Sequence, residues 1–283
     1  MKKLLLMSAA LLAAASASAN WGSYANPLKV FPTGTPVYGH TTYGGTDLVW
    51  TVIYEPTKDT DDPEEIQENV YSYMLQGVKG DGSLVFPEGG KLISNYTNLS
   101  FTEFNRYVFT DRDNNAIVMA RDLRNSDTDA REFSLYLYKV SPEGEMLWGE
   151  DGISIDGDNK CTDLTATEMC QLDDGSYVVS YMAPNQGVIY MQRVSNDGQT
   201  KYWGEKGIQL SGVYPWLTRS LDNQVILVYI NNGVLKAMKY DFDGSEAWPK
   251  AIDVYAGGFT GRTPPHAIVR CVSSGDDGGV LVA

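Results

Sequence analysis

Histidine, cysteine and basic residues are scarce in this sequence of 283 residues. It contains 2 His and 3 Cys, and its 22 Lys and Arg face 36 Asp and Glu, for a formal net charge of −14. Because phosphate groups are repelled by a strongly acidic chain, this balance argues against a nucleic-acid partner or an anionic membrane surface. Only His40 and His266 could serve as the base of a catalytic cysteine. The sequence also lacks HExxH, a Ser-His-Asp set in a recognisable context and a phosphate-binding glycine loop.

The N-terminus has the features of a secretory signal peptide. Met1-Lys2-Lys3 is basic, residues 4–15 are apolar, and Ser16-Ala17-Ser18-Ala19 has the small-x-small pattern of a signal peptidase site. The apolar run is too short to span a bilayer comfortably, and no later segment is apolar enough to do so. We therefore expect a signal peptide at 1–19 and an exported protein without membrane insertion, located outside the cell, on its surface or in the periplasm.

Export permits disulfides, but the cysteines are odd in number: Cys161, Cys170 and Cys271. Two interpretations stay open at this stage. The cysteines are buried thiols on inner strands, or a Cys161–Cys170 bridge ties a loop to the strand that follows it.

What the sequence does contain is a repeat of tight turns and aromatic residues. The turns Asp81-Gly82, Glu143-Gly144, Asp197-Gly198 and Asp243-Gly244 are each followed, four or five residues later, by Phe86, Trp148, Trp203 and Trp248. Asp-Gly pairs between β-rich runs favour hairpins, because Gly tolerates positive φ. A second set of turns begins the more apolar strands, at Asp113-Asn114, Asp173-Asp174-Gly175, Asp222-Asn223 and Asp276-Asp277-Gly278.

Four short strands in under fifty residues, as in 165–210, have the size of one propeller blade. We predict an all-β fold over 20–283: a β-propeller of four-stranded antiparallel blades, with about four and a half blades present. The blades are expected at about 35–94, 106–155, 167–210 and 214–254, with a partial blade at 266–283. Because the last blade stops after its second strand, we expect the chain to be truncated at the C-terminus, with a downstream domain missing from it.

Two segments carry a resemblance to a known group of proteins. They are Val-Ser-Pro-Glu-Gly-Glu-Met-Leu-Trp-Gly at 140–149 and Val-Ser-Asn-Asp-Gly-Gln-Thr-Lys-Tyr-Trp-Gly at 194–204. Each is paired with an Asp-Gly strand turn, and the pattern resembles secreted β-propeller repeat proteins of Bacteroidota, which are often exported through the type IX system. The resemblance covers about 40–283 and implies the fold and export, but no particular activity.

Longer loops are where binding residues usually lie in such a fold. The tight turns share one face of a propeller, so the longer connections fall on the opposite face, which we call the long-loop face. Aromatic, Arg and His side chains there suit stacking on a sugar ring or holding a peptide. The candidate ligand-binding residues are Tyr96, Phe104, Tyr214, Trp216, Arg262 and His266. The alternative for each is packing between blades.

The sequence predicts neither a metal site nor a cofactor. Asp111-Arg-Asp113-Asn-Asn115 resembles the start of a calcium loop, but Ala116 stands where the loop needs glycine, and in the similar segment at 156–160 a ligand position is Lys160. With 36 acidic residues, no catalytic carboxylate pair can be chosen.

We therefore expect a secreted, non-catalytic propeller that binds a glycan, a peptide or a surface partner through its long-loop face. Two alternatives stay open. One is a propeller-fold glycan hydrolase or lyase, and the other is a structural scaffold of a larger secreted protein.

Overall fold

The computed structural model describes residues 28–31, 38–43, 47–58, 66–96, 108–124, 133–156, 168–183, 187–256, 271–273 and 278–282. Within these ranges the regular elements are β-strands, and none is a helix.

The strands form sheets in chain order, and each strand pairs antiparallel with the next in its sheet. The first sheet contains β1 (Tyr38–Tyr43), β2 (Leu48–Lys58), β3 (Ile66–Lys79) and β4 (Lys91–Ser94). The second contains β5 (Val108–Thr110), β6 (Ala116–Asp122), β7 (Ser134–Val140) and β8 (Ile153–Ser154). The third contains β9 (Glu168–Gln171), β10 (Tyr177–Ala183), β11 (Val188–Val194) and β12 (Ile208–Ser211). The fourth contains β13 (Val213–Arg219), β14 (Val225–Asn231), β15 (Val234–Tyr240) and β16 (Ile252–Tyr255), and a two-stranded sheet contains β17 (Cys271–Ser273) and β18 (Val280–Val282).

This arrangement confirms the all-β class and the four-stranded antiparallel blades of a propeller. The first strands of neighbouring sheets lie side by side, β1 along β5, β9 along β13 and β13 along β17. The sheets pack through their faces, and one hydrophobic cluster includes buried residues of the first three sheets. All seven residues of β6 are buried, as expected for a strand covered on both faces.

The turns between third and fourth strands need the glycines that the sequence places there. Gly144 has φ 92° and Gly198 has φ 76°, conformations that side chains with a Cβ rarely adopt. The backbone N–H of Gly198 donates to the carbonyl of Ser195 at 2.9 Å. Asp197 Oδ1 accepts the N–H of Gln199 at 3.0 Å, so the acidic residue closes the turn as an Asx motif.

The repeated aromatic residue joins neighbouring blades at the junctions of the second, third and fourth sheets. Trp148 of the second sheet donates its indole Nε1–H to the carbonyl of Asn196, in the turn of the third sheet, at 3.1 Å. A Cβ on Gly198 would lie 2.9 Å from Cδ1 of Trp148, so the ring rests directly on the turn glycine. Lys139 adds a second link, because its Nζ donates to Asn196 Oδ1 at 2.5 Å. We call this arrangement the tryptophan–glycine contact.

The same contact recurs at the next junction. Trp203 donates Nε1–H to the carbonyl of Phe242 at 3.1 Å, and Arg193 donates Nη1–H to the same oxygen at 2.8 Å. A Cβ on Gly244 would lie 3.0 Å from Cδ1 of Trp203. Gly198 thus contacts the ring of the preceding blade, and Trp203, five residues later, contacts the turn glycine of the following blade.

Cys170 lies buried on β9, as expected for an inner strand. A Cys161–Cys170 bridge stays a prediction. Cys161 lies outside the described residues.

The tryptophan–glycine contact predicts an unequal cost for two glycine substitutions. Gly198→Ala and Gly204→Ala both place alanine at positive φ, 76° and 73°, which costs about 1–2 kcal/mol in each case. Only at Gly198 does the new Cβ meet Trp148, since nothing lies within 4 Å of a Cβ on Gly204. Overpacking should cost Gly198→Ala a further ~1–3 kcal/mol in the free energy of unfolding, measured by urea denaturation. Equal losses in the two variants would contradict the contact.

Candidate functional site

The first strands of three consecutive sheets line one cavity, at the ends that lead into tight turns. Its volume is about 330 Å³. We call it the channel mouth, and its lining residues are Phe109, Thr110, Asp111, Arg112, Met169, Cys170, Gln171, Leu217, Thr218 and Arg219. They come from the C-terminal ends of β5, β9 and β13 and the residues that follow. The cavity therefore lies where the first strands meet, on the face of the tight turns and opposite the long-loop face.

Two arginines and one aspartate, each from a different sheet, meet beside the channel mouth. Arg112 Nη2 lies 2.7 Å from Asp173 Oδ1, and Arg219 Nη1 lies 2.8 Å from the same oxygen. The side chains of Arg112, Arg219 and Asp173 are 45, 28 and 51 % exposed. Ion pairs this exposed contribute little to stability. Their importance is that both guanidinium groups stay partly accessible to solvent at the cavity.

Asp111 also lines the cavity, but its carboxylate is fully engaged. Oδ1 accepts the backbone N–H groups of Asp113 and Asn115 at 2.9 and 2.8 Å. Oδ2 accepts the Asn115 amide at 2.8 Å and the Tyr177 hydroxyl at 2.7 Å, and Lys139 Nζ lies 3.6 Å away. Burial and the bond to Asp111 raise the pKa of Tyr177, which keeps its proton on the phenol. Asp111 is therefore a structural residue of the turn between β5 and β6.

Two further polar side chains shape the wall of the channel mouth. Gln171 Oε1 accepts the backbone N–H of Arg112 at 2.9 Å, while its Nε2 donates to the Gly175 carbonyl at 3.2 Å. Gln171 thus fixes the position of Arg112 from the neighbouring sheet. The hydroxyl of Thr110 is buried and has no hydrogen-bond partner within the described ranges. A buried hydroxyl without a partner carries a desolvation cost of about 1–3 kcal/mol.

Tyr96, one of the predicted ligand-binding residues, lies at the junction of the first and second sheets. Its ring lies over the guanidinium of Arg124 at 3.7 Å, and its hydroxyl donates to Asp151 Oδ1 at 2.8 Å. Arg124 is also stacked on Tyr136 at 3.7 Å and donates to both oxygens of Asp122. Both the ring and the hydroxyl of Tyr96 are therefore used in packing between blades, although the residue remains 38 % exposed.

Tyr214 and Trp216 lie on β13, the first strand of the fourth sheet. The connection between the blades expected at 167–210 and 214–254 is the single residue Gly212, because β12 ends at Ser211 and β13 begins at Val213. Trp216 consequently falls inside β13 and is only 4 % exposed, in a hydrophobic cluster of the fourth sheet. Tyr214 is half-buried and has φ 55°, within a register shift of β13.

The remaining predicted residues, Phe104, Arg262 and His266, lie outside the described residues. Ligand binding by the predicted set stays a prediction. Sequence reasoning missed Arg112 and Arg219 because each appeared to be an ordinary polar residue beside a turn. One feature of the sequence could have indicated them. Each is a basic residue at the end of the first strand of a blade, at a position where the repeat has no required residue.

Asp156, which lies outside the channel mouth, has a buried carboxyl group with a raised pKa. It follows β8 and is fully buried, with Oδ2 accepting the Leu135 N–H at 3.1 Å and Oδ1 the Ser154 hydroxyl at 3.3 Å. Burial outweighs these bonds and raises the pKa of Asp156 to about 7.

Within the described ranges, no group of three or more His, Cys, Asp or Glu side chains is placed to hold a metal ion. The described part of the chain contains no helix long and apolar enough to cross a membrane.

Comparisons with known proteins find structural similarity at low sequence identity. No protein-family model and no curated protein sequence matches this chain. A protein of unknown function from Dyadobacter fermentans aligns with a TM-score of 0.49 and 13 % identity, covering 83 % of this chain and 69 % of that one. An α-L-arabinofuranosidase, Arb93A from Fusarium graminearum, aligns with a TM-score of 0.45 and 12 % identity over 91 % and 76 % of the two chains. A catalytically inactive virginiamycin B lyase from Staphylococcus aureus aligns with a TM-score of 0.37 and 13 % identity over 86 % of this chain, which spans 61 % of that protein.

Proposed function

We propose that this protein is exported and binds a glycan, a peptide or a surface partner without chemically changing it, and that the channel mouth is its binding site. The observation that carries the proposal is the combination of an open cavity with two partly exposed guanidinium groups, Arg112 and Arg219. In ligand-binding pockets, a small number of polar side chains in the wall orient the ligand. The site lies on the tight-turn face rather than on the long-loop face expected from sequence.

The carboxylates at the channel mouth favour binding over catalysis. A glycosidase needs two carboxyl groups that can exchange protons or attack a sugar, about 5–10 Å apart. Asp111 is held by four hydrogen bonds, and Asp173 is paired with both arginines. Both carboxylates are therefore engaged in contacts within the protein.

Export is part of the proposal and is supported by the N-terminal sequence. The basic residues Lys2 and Lys3, the apolar run and the small residues before Asn20 have the order of a cleaved signal peptide. A net charge of −14 also keeps a secreted protein soluble.

A glycan and polysaccharide array, extended with peptides, tests the proposed function. The complete protein without residues 1–19 should bind at least one ligand and release it unchanged. Thr218→Trp fills the channel mouth and should abolish that binding, while Thr200→Trp, on an exposed turn of the third sheet, should leave it intact. If binding survives Thr218→Trp, the binding site is not the channel mouth. If the array shows neither binding nor turnover, the structural scaffold is the function that remains.

The second candidate function is glycan hydrolysis or cleavage, and Asp156 is the observation that favours it. A carboxyl with a pKa near 7 is suited to act as a general acid at neutral pH. Its position at the start of 156–166, a predicted long loop, would place it near the long-loop face. Its complete burial and its bonds to Leu135 and Ser154 instead suit a residue that joins β8 to β7. We therefore rank catalysis second.

Asp156 predicts a specific pH dependence of stability. Its pKa is about 7 in the folded protein and about 3.9 when unfolded, so folding binds a proton between these values. The stabilising contribution of the protonated carboxyl is complete below pH 4 and is lost as the pH rises to 7, a change on the order of 4 kcal/mol. Asp156→Asn should remove this slope from the free energy of unfolding, measured by urea denaturation from pH 4 to 8.

Two outcomes of that experiment bear on function. Parallel stability curves for Asp156→Asn and the unchanged protein would contradict the raised pKa. If the array finds turnover and Asp156→Asn abolishes it without loss of fold, the catalytic candidate replaces the binding one.

A further inference from the structure

We propose that the channel mouth recognises the carboxylate of an acidic sugar, such as a uronic acid residue of a glycan, through Arg112 and Arg219. The inference rests on the proposed function, since it requires that the channel mouth binds a ligand, and it names the chemical class of that ligand.

The protein itself shows that the two guanidinium groups can share a carboxylate. Asp173 Oδ1 lies within 2.8 Å of both arginines, although Asp173 itself does not line the cavity. Each guanidinium has five N–H donors, and the described contacts with Asp173 use one on each arginine. No contact within the described part of the chain uses the remaining side-chain donors of Arg112 and Arg219. Arginine binds a carboxylate strongly through paired N–H···O bonds.

The two arginines determine which ligand charge the channel mouth attracts. The whole sequence carries a net charge of −14, so most of the surface repels an anionic ligand. At the channel mouth two arginines share Asp173, while buried Asp111 is held by its hydrogen bonds and has Lys139 at 3.6 Å. A carboxylate ligand is therefore attracted to the two guanidinium groups of this cavity.

The size and the wall of the cavity suit a sugar. A volume of about 330 Å³ is at the lower end for ligand pockets, which are about 300–1,000 Å³, and fits a compact group rather than a folded peptide segment. The wall includes half-buried Thr218, which carries a hydroxyl group. Half-buried Phe109 adds an aromatic ring, a common surface for the apolar face of a sugar.

Calorimetry with three probes tests the inference on the complete protein without residues 1–19. Tri-galacturonic acid should bind, its neutral methyl ester should bind at least about tenfold more weakly, and an acidic hexapeptide should not bind. Arg112→Gln and Arg219→Gln should each weaken tri-galacturonate binding about tenfold or more, because each removes a charge-assisted hydrogen bond. Lys236→Gln, which removes a cation paired with Asp253 on the fourth sheet, is the matched control and should change nothing.

Asp173→Asn separates recognition from a merely structural role of the arginines. Asp173 competes with the ligand for both guanidinium groups, so its neutralisation should tighten tri-galacturonate binding severalfold. Added salt should weaken binding in the unchanged protein. If the arginines only held the turns together, Asp173→Asn would weaken binding or leave it unchanged, and this result would overturn the inference.

The failures of the two proposals are distinguishable. Equal binding of the acid and its methyl ester, blocked by Thr218→Trp but insensitive to both arginine variants, would overturn the carboxylate inference and leave the binding function standing. Binding of the acidic peptide alone would overturn the choice of a sugar. If no probe and no member of the array binds, both proposals are wrong.

Discussion

The structure depends on one contact between neighbouring blades, an aromatic ring resting on a glycine of the next tight turn. At Trp148 and Gly198 the ring touches the Cα side of the turn and donates a hydrogen bond to its carbonyl at Asn196. A side chain on the glycine would push the two sheets apart. Replacing the tryptophan with a smaller, non-aromatic residue would leave a cavity between them. Since the same contact joins the third and fourth sheets through Trp203 and Gly244, it sets the angle and spacing of one blade relative to the next.

The candidate site follows from that spacing. The channel mouth has no lining element of its own, because its wall consists of the ends of β5, β9 and β13, which three separate sheets bring together. Arg112, Asp173 and Arg219 meet only when the second, third and fourth sheets hold their packed positions. The repeated residues thus build the framework, and the residues that do not repeat provide the site.

This division explains what the sequence could and could not predict. The Asp-Gly turns follow a local rule, because positive φ favours glycine. The tryptophans recur at a fixed distance in sequence from these turns. Together the two features predicted the class of fold and its four-stranded sheets. Trp216 shows how a local pattern misleads: an aromatic residue near an expected loop looked accessible, yet the loop is one residue long and the ring lies in the core. Arg112 and Asp173 are 61 residues apart, and Asp173 and Arg219 are 46 apart. Their meeting depends on how the blades pack, which no local pattern in a single sequence encodes.

The most direct measurement of the account is a crystal structure of the complete protein, without residues 1–19, soaked with tri-galacturonic acid. Our account predicts electron density for one sugar in the channel mouth, with its carboxylate within hydrogen-bond distance of both Arg112 and Arg219. Density for the ligand on the long-loop face, with the channel mouth empty at saturating ligand, would contradict it.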